Sequence, residues 1–262
     1  DQLREQIIEA INQVFAPRSI VERSDAAVRK DDGLEEVVAV RTGENPGVVE
    51  FLERGRRYLV DVIQGQKTGF FLDQRDARDS VQKLAAGKEC LNLFSYTGAF
   101  GVAAMLGGAK RCHNIDLSER ALEGCERHRV LHGFDAKRFT TEEADIFQWL
   151  GERREPSYDL VVLDPPALIK SSKDAQAGKK AYHFLNRAAM RLVRDGGVFV
   201  SSSCSQHLSE EDFLFLLRRA SVQNGLDLRV LALHRQAADH PLSVYFKEAA
   251  YLKTMICEVR TI

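Results

Sequence analysis

Long hydrophobic runs are missing from this chain of 262 residues. No apolar stretch approaches the roughly 20 residues that a membrane-crossing helix needs, so no membrane role is expected. A Cys-X-X-Cys pair is also missing, which removes the usual zinc signature, and no metal site is expected. Of the five cysteines, Cys90, Cys112 and Cys257 sit in apolar strand-like stretches and Cys125 lies in a helical pattern. Those are places for buried, reduced thiols, so a cytoplasmic protein is expected. There is no excess of either charge: 37 basic against 38 acidic residues leave a net charge of −1. Any polyanion must therefore be met by a local patch. Two nucleotide signatures are absent as well, the Gly-Lys-Ser/Thr ending of a P-loop and the dinucleotide GxGxxG. No secretory leader opens the sequence, which starts Asp1-Gln2 rather than Met, so a trimmed chain is expected. With 44% apolar and 29% charged residues, a globular chain of one or two domains is left.

What is present centres on residues 91–101, LNLFSYTGAFG. An apolar run through Phe94 reads as a buried strand. It breaks at Ser95-Tyr96-Thr97-Gly98, and a small-residue helix follows from Ala99. Strand, glycine turn and helix make a nucleotide-sized pocket at a strand's carboxyl end, with Gly98 and Gly101 expected to let a ligand approach the backbone. The next strand ends in Asp116, where such folds hold a ribose, and Leu117 and Ser118 follow. Asp145 and Ile146 follow a third strand, and Asp164-Pro165-Pro166 a fourth. Four consecutive strand–helix units each carry a polar residue at the strand tip.

In chain order, the apolar spacing predicts a helix to Phe15 and strands at 35–41, 48–53 and 57–63, with turns at Asp32-Gly33, Asn45-Pro46-Gly47 and Arg54-Gly55. Residues 1–66 are expected to form a small α+β lobe. A polar, glycine-flanked stretch, GQKTGFFLDQR, leads into a helix at 76–86 and reads as a flap or a linker. Strands near 90–94, 111–116, 138–142, 159–163 and 197–202 then alternate with helices near 99–107, 119–132, 145–153, 179–194 and 209–223. Two last strands, 226–233 and 251–260, have no helix between them and are expected to pair as an antiparallel edge hairpin, which puts a reversed strand at the margin of a parallel sheet. The fold class is α/β, a seven-stranded, mostly parallel Rossmann-like sheet over 67–262.

Two stretches carry chemistry. Pro165-Pro166 fix a rigid turn that aims Asp164. Strand five ends in Ser201-Ser202-Ser203-Cys204-Ser205, beside the Asp164 strand, with a helix N-terminus following at Ser209. A cysteine at such a tip can have a lowered pKa, although the acids Glu210, Glu211 and Asp212 oppose it. Lys170, Lys173, Lys179, Lys180 and Arg187 surround the loop after Pro166 and form either a phosphate-binding lip or a solvated helix face.

Together these motifs resemble class I S-adenosylmethionine-dependent methyltransferases, and within them the large-subunit ribosomal RNA methyltransferase I family, which makes 5-methylcytosine. LNLFSYTGAFG is similar to that family's cofactor loop, GQKTGFFLDQR to its flap, LDPP to its target-base motif, SSSCS to its nucleophile motif, and RQAADHP with YLK to its last hairpin. The resemblance spans residues 1–262, with two departures: the family's usual N-terminal PUA domain is not expected here, and Leu168 stands where an aromatic is usual. It implies S-adenosyl-L-methionine as cofactor and ribosomal RNA as partner, with a homodimer as an option. It also implies Cys204 and Asp164 as catalytic residues. The cofactor would be met by Phe94, Ser95, Tyr96, Thr97, Gly98, Asp116, Leu117, Ser118, Asp145, Ile146, Asp164 and Pro165, with Lys67, Thr68, Asp73 and Arg75 closing over it. The RNA would be met by Pro165, Pro166, Lys170, Lys173, Lys179 and Lys180. Two other readings stay open, an amino-group methyltransferase acting on adenine or guanine and an inactive RNA-binding or assembly module.

Overall fold

The computed structural model describes residues 2–66, 68–246 and 249–262. It divides into two compact units, Asp1–Phe71 and Leu72–Ile262. The first unit extends past residue 66 because the Phe70 ring packs against Phe51 and Tyr58, with centroids 4.9 Å from each.

The first unit opens with helix α1 (Arg4–Phe15), which stops at a left-handed Ala16 before Pro17. Strand β1 (Ser19–Ser24) pairs antiparallel with β2 (Val37–Gly43). Little in the sequence marks β1, since SIVERS has only two adjacent apolar residues and no alternation; pairing imposes the strand. Strands β3 (Val48–Glu53) and β4 (Arg56–Asp61) form a hairpin closed by Arg54 and Gly55, both with positive φ (49° and 82°), as a tight right-twisted turn requires.

The second unit runs α2 (Arg75–Leu84), β5 (Glu89–Leu93), α3 (Ala99–Leu106), β6 (Arg111–Asp116), α4 (Glu119–His132), β7 (Phe139–Glu143), α5 (Ile146–Gly151), β8 (Tyr158–Leu163), α6 (Ala175–Met190), β9 (Val193–Ser203), α7 (Glu210–Gln223), β10 (Leu226–His234) and β11 (Lys253–Thr261). The strands form one sheet in the order β10-β11-β9-β8-β5-β6-β7. Period-two alternation sorts the core. Leu91, Leu93, Val161, Leu163 and Phe199 join Trp149, Tyr182 and Phe213 of α5, α6 and α7 in one apolar cluster.

Pairing from β9 through β7 is parallel throughout. The reversed strand is not at the margin, however. β11 lies between β9 and β10, antiparallel to both. The last two strands thus pair as the expected antiparallel edge hairpin, with the reversed strand as its inner member rather than the edge itself. The run Lys253-Thr254-Met255-Ile256-Cys257 is wholly buried and needs a partner on each side, whereas β10 is half exposed and suits an edge. From β5 the chain first builds outward through β6 and β7, then returns to β8 and β9. The crevice at the carboxyl ends of β5 and β8 is thus a topological switch point, where open α/β sheets bind ligands.

Candidate functional site

The turn after β5 is wound tightly. Phe94, Tyr96 and Gly98 all have positive φ (56°, 48° and 78°). Left-handed backbone at two non-glycine residues stores strain and is typical of built sites. Asp116 holds this turn: its Oδ2 accepts the Tyr96 N–H (2.8 Å), and its Oδ1 accepts the Ser118 N–H (3.0 Å). Ser118 in turn caps α4 through the Ala121 N–H, and Leu117 is exposed. Asp145 caps α5, its Oδ1 accepting the Gln148 N–H at 3.1 Å.

Several expected contacts are corrected here. A Cβ on Gly101 would strike Asn114 of β6, and one on Gly98 would strike the Cys125 sulfur of α4. Gly101 makes room for Asn114 of the sheet, and Gly98, at its left-handed φ, makes room for Cys125 of α4. The methyl of Thr97 faces Gly124 of α4 while its Oγ1 is buried with no partner among the described residues, and the Ile146 side chain lies in the core, so Ile146 has only its main chain to offer a ligand. Behind the turn, Asn92 Nδ2 donates to Asn114 Oδ1 at 2.9 Å, a buried polar bridge between β5 and β6.

On the other side of the crevice, Asp164 follows β8. Gln74 Nε2 donates to its Oδ2 at 2.7 Å. Burial, with Asp73 nearby, pushes the Asp164 carboxyl up to about 6, against the opposing effects of Gln74, Arg78 and Ser202. Asp73 accepts the Tyr251 hydroxyl (2.6 Å) on Oδ2, and its carbonyl accepts the Ala237 N–H (2.9 Å). This ties the 235–252 connection to the crevice. Arg75 pairs with Asp239 of the same connection at 3.0 Å. Thr68 is exposed in the first unit, and Lys67 lies outside the described residues.

Cys204 is the one half-buried cysteine; the other four are buried. Burial pushes the thiols of Cys90 and Cys257 up to about 12 and raises those of Cys112 and Cys125 as well, so none of these is a thiolate near neutrality. Cys204 sits in a hydroxyl framework. Ser203 Oγ donates to Tyr182 Oη, which lies 3.0 Å from Ser205 Oγ, and Ser205 Oγ accepts the Ile169 N–H. In the β8–β9 ladder Leu163 stands opposite Ser201, so the Asp164 and Cys204 tips are neighbours.

The basic residues divide. Lys170, Lys173 and Lys180 are exposed, whereas Lys179 is paired with Asp212 at 2.9 Å. Arg187 lies eight residues further along α6, about 12 Å toward the amino ends of the strands, away from Pro166. Pro165 is buried and Pro166 exposed, and Leu168 packs on the core rather than standing free to stack a base.

A family model for S-adenosylmethionine-dependent methyltransferases matches residues 26–229. The chain belongs to this family. Curated relatives named ribosomal RNA large subunit methyltransferase I, from Aeromonas salmonicida and Vibrio cholerae, are each 40% identical across 98% of this chain and 66% of their own length. The chain thus spans about two thirds of these relatives. A solved S-adenosylmethionine-dependent methyltransferase from Streptococcus mutans superposes with a TM-score of 0.83 at 28% identity, over 98% of this chain and 65% of that one. A methyltransferase solved as a complex with SAH gives the same score over 66% of its chain.

The crevice of this methyltransferase suits the family's cofactor. Each Asp116 oxygen accepts one N–H and keeps a lone pair, as a vicinal diol requires. Asp73 Oδ1 and Gln74 Oε1 are buried acceptors with no partner among the described residues, which suits a ligand carrying an ammonium. Sequence reasoning missed Gln74, Arg78 and Lys253. A signal existed for Arg78, four residues after Gln74 on the α2 face that buries Ala77 and Val81.

Proposed function

We propose that this methyltransferase modifies carbon 5 of a cytosine in large-subunit ribosomal RNA, with Cys204 as nucleophile. The observation that carries the reading is the half-buried Cys204 at a strand tip beside Asp164, while every other cysteine is buried and inert. The names of the 40% identical relatives support the RNA class.

Carbon 5 of cytosine is a poor nucleophile. Addition of the Cys204 thiolate to carbon 6 makes carbon 5 the nucleophilic end of an enamine. Asp164, with its carboxyl at about 6, is partly protonated near neutrality, so one oxygen donates to ring N3 while the other accepts from the exocyclic amine. The bound cofactor supplies an electrophilic methyl group. Afterwards a base takes the carbon 5 proton, that C–H electron pair reforms the carbon 5–carbon 6 double bond, and the carbon–sulfur bond breaks with its pair returning to Cys204. Such a pocket needs the base out of any stack, so the RNA is single-stranded or flipped there. Asp116 would hold the ribose and Asp145 the adenine amine. Phe94 to Gly98, Leu117, Ser118 and Ile146 would line the cofactor largely through the main chain. Pro165, Pro166 and the exposed Lys170, Lys173 and Lys180 would meet the RNA.

The test is an RNA carrying 5-fluorocytosine at the target, which has no removable proton at carbon 5. The protein should stay attached to it through denaturing electrophoresis, and Cys204→Ala should abolish both adduct and turnover. Normal cytosine methylation by Cys204→Ala would overturn the reading.

A further inference from the structure

Lys253 opens β11 and is only 4% exposed. Its Nζ donates to the carbonyls of Ser205 (2.7 Å) and Leu208 (2.5 Å), both in the turn that follows Cys204. In the β11–β9 ladder it stands opposite Ser203, the residue before Cys204. Among the described residues no carboxylate forms an ion pair with it. The acid whose charge reaches it, Glu210 at the start of α7, is itself paired with Arg235 at 2.9 Å. A buried ammonium with no anionic partner is costly, and two neutral carbonyls offset that only in part.

We infer that Lys253 takes the Cys204 thiol proton and then serves as the counter-ion of the thiolate. The inference rests on Cys204 being the nucleophile. In the neutral amine two N–H bonds remain on the Ser205 and Leu208 carbonyls, and the lone pair is free for a third direction. The sulfur–hydrogen bond of Cys204 breaks, the proton goes to that lone pair, and the electron pair stays on sulfur. The thiolate uses this pair to bond carbon 6 and recovers it when that bond breaks, while Lys253 keeps the proton throughout. Lys253 acts through the sulfur and is a positioning residue.

The surrounding groups agree. Tyr182 from α6 and Tyr251 just before β11 both feel the charge of Cys204, and both hydroxyls are pushed up mainly by burial, so they stay neutral. Asp73 holds the Tyr251 hydroxyl. Burial lowers the Lys253 ammonium to about 8, while the charge of Cys204 acts to raise it. That brings the amine close to the ordinary thiol range of about 8.5, where a proton is readily exchanged between the two.

Alkylation by iodoacetamide, read at the Cys204 peptide by mass spectrometry across pH, reports the thiolate without any RNA. In the wild-type chain Cys204 should react with a midpoint below the ordinary thiol range. In Lys253→Gln the midpoint should rise, and the rate at pH 7 should fall by about tenfold or more, because only the thiolate reacts. Superimposable profiles would overturn the inference. Should Lys253→Gln fail to fold, NMR titration of the Lys253 Cε in wild type and in Cys204→Ala decides instead. The lysine midpoint should drop when the thiolate is removed, and an unchanged midpoint refutes the pairing. A lowered thiol midpoint without an adduct on 5-fluorocytosine RNA would sink the cytosine reading alone.

Discussion

Asp164 opposes folding as it ionises. Its carboxyl titrates at about 6 in the folded chain, against about 3.9 when unfolded. Its contribution to stability is therefore whole below pH 4 and is lost as pH rises through 6, about 3 kcal/mol by neutrality. Asp164→Asn should be more stable than wild type at pH 7 by that amount and equal to it near pH 4, read as urea midpoints. Equal midpoints at both pH values would mean the carboxyl is not perturbed. Asp116→Ala should lose about 2–4 kcal/mol of cofactor binding, roughly thirty- to several-hundredfold in calorimetric affinity. It should also loosen the 94–98 turn, because it frees the Tyr96 N–H. Asp116, Asp164 and Cys204 were legible in the sequence because each ends an apolar strand. Gln74 and Lys253 were not, since their partners stand 90 and 48 residues away in the chain. A buried lysine that opens a strand reads, without that contact, as a solvated one.

At the scale of elements, the glycine spacing of α3 was readable but its cause was not. Asn114, which Gly101 approaches, is held by Asn92 and by the Thr140 carbonyl and cannot give way. Gly101→Ala should therefore cost about 1–3 kcal/mol by overpacking, outweighing the roughly 1 kcal/mol that alanine adds to a helix. A stabilised variant in urea unfolding would refute this account of the glycine. The start of α6 gives a second expectation. Reversing Lys173 and Lys180 to Glu should flatten the salt dependence of RNA binding, by about 0.7 in log–log slope per lost contact to a single strand. Lys179→Glu should instead place two acids together at Asp212 and weaken the α6–α7 contact. An unchanged slope in the first variant would make those lysines ordinary solvated surface. Alternation of strand and helix located every element of the sheet within a few residues, but it could not show which neighbour β11 would choose.

For the whole molecule, every candidate site residue except Lys67 and Thr68 lies in the second unit. That unit has its own sheet and apolar cluster. Residues 72–262 produced alone should unfold in one cooperative transition, followed by circular dichroism. Cofactor affinity equal to that of the 1–262 chain would then remove Lys67 and Thr68 from the site. The position of β11 bears on when the site can exist. A chain emerges from the ribosome amino end first, and its early units fold before the late ones arrive. Sheet strands β5 to β9, with the Asp164 and Cys204 tips, are translated before β11, yet the turn after Cys204 is fastened by Lys253 and β9 is flanked on one side by β11. During synthesis Cys204 is thus made before the lysine that fastens the turn after it. On the proposed reading of Cys204, its reactivity would begin only once β11 has been made and inserted beside β9, so the order of synthesis would delay the nucleophile until its surroundings are in place.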